Sequence, residues 1–236
     1  MMDVHKAVVL LSGGADSSTL LYDVIFNQDI KEIYPIGFFY NQRHQKELIA
    51  AGTVLAKARK EAAKLDKVIH DYKVFRIPLD DIGGSPLSDP DLEVPKQEDN
   101  QQRSTVVPYR NMLMLTVAAS YAETLGAFEI FLGACKEDFE CYRDCRLAFF
   151  NSFNDTLLLG ATQEQDDERT APIVVTPFAT RDKKEITLLG LKLNVPYDDT
   201  WTCYEGGEEP CHKCDACVER AAGFDAAYKE LASDAQ

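Results

Sequence analysis

A chain of 236 residues, 45% of them apolar, can bury one sizeable core and a small appendage. Its 25 basic and 39 acidic residues leave a net charge of −14, which repels the phosphate backbone of nucleic acid over most of the surface and disfavours a tRNA-binding role. Residues 1–6 lack the charged and apolar regions of a secretion signal, and no apolar run approaches the ~20 residues of a membrane span, so a cytoplasmic protein with no membrane partner is expected.

Residues 6–11 (KAVVLL) form a short apolar run, followed at once by SGGADSS and a helix-like stretch over 19–26: strand, glycine turn, helix. A second apolar run, 33–40, precedes a helical pattern over 44–65, and 68–79 reads as a third strand. The composition of 83–103 shifts to Pro, Asp, Gln, Ser and Gly, which predicts a long surface loop of the kind that forms lids or disordered segments. Beyond it, 111–125 reads as a buried helix, 128–134 as a strand, 146–159 as a helix, 163–170 as a polar mobile stretch, 173–178 as a last core strand and 183–193 as a helix. A C-terminal helix over 218–232 follows a cluster of cysteines. Strands alternating with helices at this spacing predict a three-layer α/β/α, doubly wound, mostly parallel sheet. The expected division is a nucleotide-binding domain over 1–200 and a small C-terminal metal-binding segment over 201–236.

The turn after the first strand carries the first chemistry. Gly13 and Gly14 permit positive φ and close approach of amide N–H groups to an anion, while Ser12, Ser17 and Ser18 add hydroxyls at a helix start whose dipole favours negative charge. No lysine follows, as it would in a loop built to transfer the γ-phosphate. Asp16 is placed to help hold Mg²⁺ against phosphates.

Four of the seven cysteines lie close together near the C-terminus. Cys203, Cys211, Cys214 and Cys217 follow a C-x7-C-x2-C-x2-C pattern, which suits a closed, structural, tetrahedral Zn²⁺ site in a reducing compartment better than a disulfide framework. An iron–sulfur cluster or unmetallated thiols are the alternatives. His212 lies inside the knuckle as a competing donor, although four sulfurs already complete the site.

SGGADSS directly after the first strand resembles the SGGxDS signature of the ATP pyrophosphatases, which cleave ATP between the α and β phosphates and transfer AMP on an adenine-nucleotide α-hydrolase-like, Rossmann-like fold. That resemblance narrows along nearly the whole chain to the 7-cyano-7-deazaguanine synthase (QueC) family. Residues 40–45 (YNQRHQ) match the family's segment, 107–111 (VPYRN) parallel its VPGRN, and 144–146 (DCR) parallel the end of its SGYPDCR. Thr176-Pro177 with Lys183 and Glu185 resembles its TP…KxE region, and Thr202-Cys203-Tyr204 its TCYNG. By that resemblance Ser12, Gly13, Gly14, Ala15, Asp16, Ser17 and Ser18 bind ATP and Mg²⁺. Asp16, Ser17, Arg110 and Lys183 are the catalytic candidates, the last two as fixed cations for pyrophosphate or the adenylate. Tyr109, Asn111, Tyr142, Asp144 and Arg146 are the substrate candidates; Arg43 and His44 are as readily a helix cap or a dimer contact as they are residues of the site. The implied partners are a 7-deazaguanine acid and ammonia, with a homodimer as the assembly.

Three departures lie near the implied substrate site. Tyr109 stands where the family has glycine, Glu140, Cys141 and Arg143 where it has Ser, Gly and Pro, and Glu205 where it has Asn. They leave open a paralogue that passes the activated acid to another amine, such as a protein N-terminus in a defence-type system, without making nitrile. A silent nucleotide sensor is the reading from another class. Cys135, Cys141 and Cys145 invite a nucleophile role, but packing is the simpler expectation.

Overall fold

The computed structural model describes residues 4–42, 45–89, 91–94, 105–162 and 171–234, with the side chains of Glu140 and Cys141 outside that set. Arg43, His44 and the segment 163–170 also lie outside the described residues, as do 95–103 of the expected loop.

The centre of the fold is β1 (Lys6–Leu10), which is buried on both faces. Its side chains alternate between layers: Ala7 and Val9, with Leu11 just beyond, enter one core cluster, and Val8 and Leu10 enter the other. β1 pairs in parallel with β2 (Glu32–Phe39) on one side and β5 (Glu129–Phe131) on the other, and β5 pairs in parallel with β6 (Ile173–Val175). Beyond β2 the expected single strand over 68–79 is broken into β3 (Val68–Ile69) and β4 (Lys73–Arg76), both parallel to β2. The break has a tertiary cause. Tyr72 turns inward, its hydroxyl donating to the Leu11 carbonyl at 2.7 Å and occupying the space over Gly37 that a side chain there would need.

Two helical layers cover the sheet. On one face α1 (Ala15–Asn27), α2 (Lys46–Ala63) and α7 (Lys183–Lys192) supply Leu20, Leu21, Val24, Val54, Leu55 and Ile186 to the first cluster. On the other, α4 (Arg110–Leu125) and α6 (Leu147–Gly160) supply Leu115, Ala118, Ala122, Phe150 and Phe153. α4 is buried along one stripe and exposes Met112 and Leu113, so it is half-buried and not the buried helix its composition suggested. A short α3 (Leu79–Ile82) and α5 (Lys136–Cys141) complete the core of the chain, and α8 (Asp215–Asp234) packs along α7. α8 begins earlier than expected, inside the cysteine cluster.

The first part of the expected surface loop is packed. Leu87 joins the second core cluster, Val94 lies among the cysteines, and Ser85 and Ser88 are buried. A few apolar residues in a polar stretch were enough to anchor it, which composition averaged over the stretch conceals.

Because the chain runs outward from β1 to β2 on one side and returns through β5 to β6 on the other, the crevice at the carboxyl ends of β1 and β5 is the natural ligand position. The turn at that crevice depends on Gly13, whose φ is +89°. A Cβ there would lie 2.2 Å from the Glu47 carbonyl oxygen and 2.6 Å from the Ala51 nitrogen, so α2 rests directly on the turn. Gly52, the residue after Ala51 on the same helix, has open space around it. Gly13→Ala is therefore expected to cost more than about 3 kcal/mol from steric overlap and left-handed strain. Gly52→Ala should gain about 0.5–1 kcal/mol; urea unfolding of the two variants checks the contrast.

Candidate active site

Gly14 forms the N-cap of α1, and Asp16, Ser17 and Ser18 belong to the helix's first turns, so the helix begins inside the glycine motif and earlier than residue 19. The turn is knitted by its own serines. Ser17 Oγ donates to the Gly14 carbonyl at 3.3 Å and lies 3.0 Å from Ser12 Oγ, and the Gly14 N–H donates to Ser12 Oγ at 3.2 Å. From the opposite side the Trp201 N–H donates to the Gly13 carbonyl at 2.9 Å. Ser12, Gly14, Ala15, Asp16 and Ser17 line a cleft of about 280 Å³ that also takes in the ends of β1, β2 and β5. Ser18, one residue on and so about 100° round the helix, is fully buried and does not line that cleft.

Lys183, the first residue of α7, reaches the same place: its Nζ donates to Asp16 Oδ2 at 2.6 Å. Burial disfavours its charge, but Asp16 and Asp138 more than offset this, and its pKa stands well above the ordinary value. The N-terminus of α7 is fixed by a capping box between Asp182 and Glu185, and the Lys183 N–H donates to Glu137 at 3.0 Å. Glu219, from α8, also lines the cleft; burial, opposed by Lys183, pushes its carboxyl up to about 7. Arg110 enters from the start of α4. Burial again works against its charge, and Tyr40, Tyr204 and Tyr142 around it hold the guanidinium protonated.

The substrate candidates divide. Tyr142 and Asn111 line the cleft. Asn111 also clamps the turn Arg143–Cys145, its N–H donating to Asp144 Oδ2 and its amide to the Asp144 carbonyl and the Cys145 sulfur, each at 3.2 Å. Asp144 is thus engaged in holding that turn, and Arg146 is exposed with its Nε on the Phe139 carbonyl; neither lines the cleft. Burial pushes the Cys145 thiol up to about 12, and burial with Asp138 pushes Cys135 further still, so both stay protonated near neutral pH; Cys135 donates to Asp138 Oδ2 at 3.2 Å and Cys145 accepts from Asn111. Glu47, Asp138, Trp201 and Glu219 line the cleft without having been singled out from the sequence, and Tyr40 and Tyr204, quoted there only as motif residues, line it too. Glu47 carried a weak signal, since an acidic residue in a helix's first turn reads as a dipole partner.

Cys203, Cys211, Cys214 and Cys217 converge, with their sulfurs all within 4.8 Å of one another. A tetrahedron of sulfurs at Zn–S distances needs edges of about 3.8 Å, so small side-chain movements close the site on a metal. Backbone amides already serve the sulfurs, Cys211 Sγ accepting from Lys213 and Cys214 and Cys203 Sγ from Cys211. His212 is exposed at φ 57° and is not part of the group. Arg220 of α8 binds the chain leading into the cluster, at Thr200, Thr202 and the Tyr197 carbonyl, and this is the stretch that presents Trp201 to Gly13.

A family model described as queuosine biosynthesis protein QueC matches residues 6–228. The chain belongs to the QueC family. Its relatives include a 7-cyano-7-deazaguanine synthase of Thermoplasma acidophilum, 40% identical over 94% of this chain and 89% of that protein. Others of the same name come from Clostridium kluyveri and Oceanobacillus iheyensis, each 38% identical with 96% of both chains covered. Among solved structures, a 4-thiouridine synthetase in complex with RNA and ATP superimposes with a TM-score of 0.48 at 16% identity, over 95% of this chain and 53% of that one. Among the described residues no helix is long and apolar enough to cross a membrane.

The glycine that the sequence resemblance sets against Tyr109 can be compared with the backbone found there. Residue 109 has φ 55°, a left-handed conformation that glycine adopts freely, and the phenol that this chain carries there is 71% exposed. It faces solvent and not the cleft. Tyr109→Gly is accordingly expected to leave kcat/KM within about twofold and not to lower the unfolding midpoint, because it relieves a left-handed backbone cost of about 1 kcal/mol; steady-state kinetics and thermal unfolding check both.

Glu47 supplies a second expectation. Burial, partly offset by Arg110, pushes its carboxyl up to about 8 from an ordinary 4.5. A group whose folded pKa is raised contributes stability below its unfolded pKa and loses it as pH rises through the folded value. The unfolding midpoint of the ligand-free protein should therefore fall between about pH 4.5 and 8, with Glu219 contributing up to about 7. Glu47→Gln should flatten that fall.

Proposed function

We propose that this chain is a 7-cyano-7-deazaguanine synthase that uses ATP to activate 7-carboxy-7-deazaguanine, adds ammonia and dehydrates the amide to the nitrile. The observation that carries the reading is family membership over residues 6–228, together with relatives of that name aligned along almost the whole chain. The geometry fits it. The amides of Gly14 and Ala15, the hydroxyls of Ser12 and Ser17 and the Lys183 ammonium converge where a triphosphate would lie.

In this reading a substrate carboxylate oxygen attacks the α-phosphorus of ATP and the bond to the β-phosphate breaks. The turn and Lys183 stabilise the departing pyrophosphate, while Arg110 neutralises the carboxylate and then the adenylate. Ammonia attacks the acyl carbon, AMP leaves, and a proton is lost to give the amide. A second adenylation places AMP on the amide oxygen; loss of the remaining N–H protons and of AMP leaves the triple bond. Asp16 would hold Mg²⁺, which supplies charge neutralisation at the phosphates. Asp16 and Asp138 hold the Lys183 ammonium charged against its burial, so it is available as a cation for phosphate.

Cys203, Cys211, Cys214 and Cys217 would hold Zn²⁺ in a structural role, locking the stretch that delivers the Trp201 N–H to Gly13. The proposal includes a homodimer, which sedimentation equilibrium reports directly. Among the described residues none favours transfer to a protein amine or a silent sensor.

Mass spectrometry after incubation with ATP, Mg²⁺, the carboxy-deazaguanine and ammonia should find nitrile; AMP release with no nitrile would contradict the reading. Lys183→Met is expected to lower kcat/KM by roughly 100–1000-fold, the usual cost of removing one preorganised donor from such a site. Elemental analysis should give one equivalent of zinc, and its removal should weaken ATP binding as well as lower the unfolding midpoint; less than half an equivalent of any metal would contradict the four-thiolate assignment.

A further inference from the structure

The chemistry outlined above draws on the phosphate turn, Lys183 and Arg110 and leaves Glu47 without a task. Its position is tightly set. The first turn of α2 rests on Gly13, with the Glu47 carbonyl oxygen where a Cβ of residue 13 would intrude, so this residue is registered against the phosphate turn itself. Glu47 lines the cleft together with Arg110 and Tyr40 and with the apolar Leu10, Phe38 and Met114. Among the described groups that act on it are Arg110 from α4, Tyr40 from the end of β2 and Tyr72 from the break between β3 and β4. Burial raises the energy of its ionised form and Arg110 lowers it, so each further N–H donor brought by a ligand favours the carboxylate.

An ionised carboxylate has acceptors only, and its two oxygens match two N–H donors held side by side. The ring of a 7-deazaguanine presents such an edge: N1–H next to the exocyclic 2-amino group. Adenine does not, since its 6-amino donor stands beside an acceptor nitrogen. We propose that Glu47 is the residue that selects the deazaguanine ring, accepting N1–H and one 2-amino N–H while the apolar wall of the cleft covers a face of the heterocycle. The inference rests on the synthase reading and adds to it the side chain that recognises the base.

The test is steady-state AMP release by the full chain with two acids, 7-carboxy-7-deazaguanine and its analogue lacking the 2-amino group. Wild-type protein should show a KM about tenfold or more higher for the analogue, because the hydrogen bond from the 2-amino group to Glu47 is lost. Glu47→Gln offers one acceptor in place of two. It should raise KM for the natural acid about tenfold, keep KM for ATP within about twofold and discriminate less than about threefold between the acids. Glu47→Asp, which retains both acceptors one methylene further back, should bind both more weakly yet keep the preference, and it serves as the test if the glutamine variant does not fold. A parallel rise in the KM for ATP, or a glutamine variant that still prefers the 2-amino acid, would overturn the inference while the synthase reading stands. No AMP from wild-type protein with either acid would overturn both.

Discussion

The absence of a side chain at Gly13 is the constraint on which the rest of the site depends. On one side of that residue the first turn of α2 closes to a distance no Cβ could tolerate; on the other, its carbonyl accepts the Trp201 N–H from the segment that leads into the four cysteines. The glycine turn is thereby held between a helix of the main layer and the segment that carries the four cysteines. A cradle of backbone amides stabilises charge only if it is already in place when charge develops, and this double contact puts it there.

The same arrangement explains why a remote cluster of thiols belongs to a nucleotide enzyme. Arg220 ties α8 to the chain at 197–202, Tyr197 reaches Thr19 of α1 at 2.8 Å, and Trp201 reaches Gly13. A metal among the cysteines would fix this path at one end, and the phosphate turn stands at the other. Around it the cleft has two poles: Asp16, Asp138, Glu219 and Lys183 beside β5, and Tyr40, Glu47 and Arg110 beside β2.

Much of this was legible in the sequence because it is written locally. The strand, glycine turn and helix at 6–27 and the cysteine knuckle depend on neighbours a few residues apart, and both are found, with the helix starting at residue 15 inside the motif. What was not legible depends on distant contacts. The split of the third strand follows from Tyr72 meeting Leu11, and the packing of Leu87 and Val94 from cores built elsewhere in the chain. Ser17 and Ser18 look alike in a motif, yet helical rotation sends one to the cleft and the other into the interior. Tyr109 seemed to threaten the substrate and instead points to solvent, since its backbone conformation, and not its bulk, is what the position demands. Glu47 was overlooked because an acid in a first helical turn has an ordinary explanation.

The claim that the nucleotide is gripped by this turn is tested most directly by a structure of the protein with Mg²⁺ and α,β-methylene ATP. The account predicts phosphate oxygens within hydrogen-bond reach of the Gly14 and Ala15 amides and of Ser12 and Ser17, with Lys183 swung from Asp16 to phosphate. A triphosphate lodged elsewhere, with the Lys183–Asp16 contact intact, would contradict it.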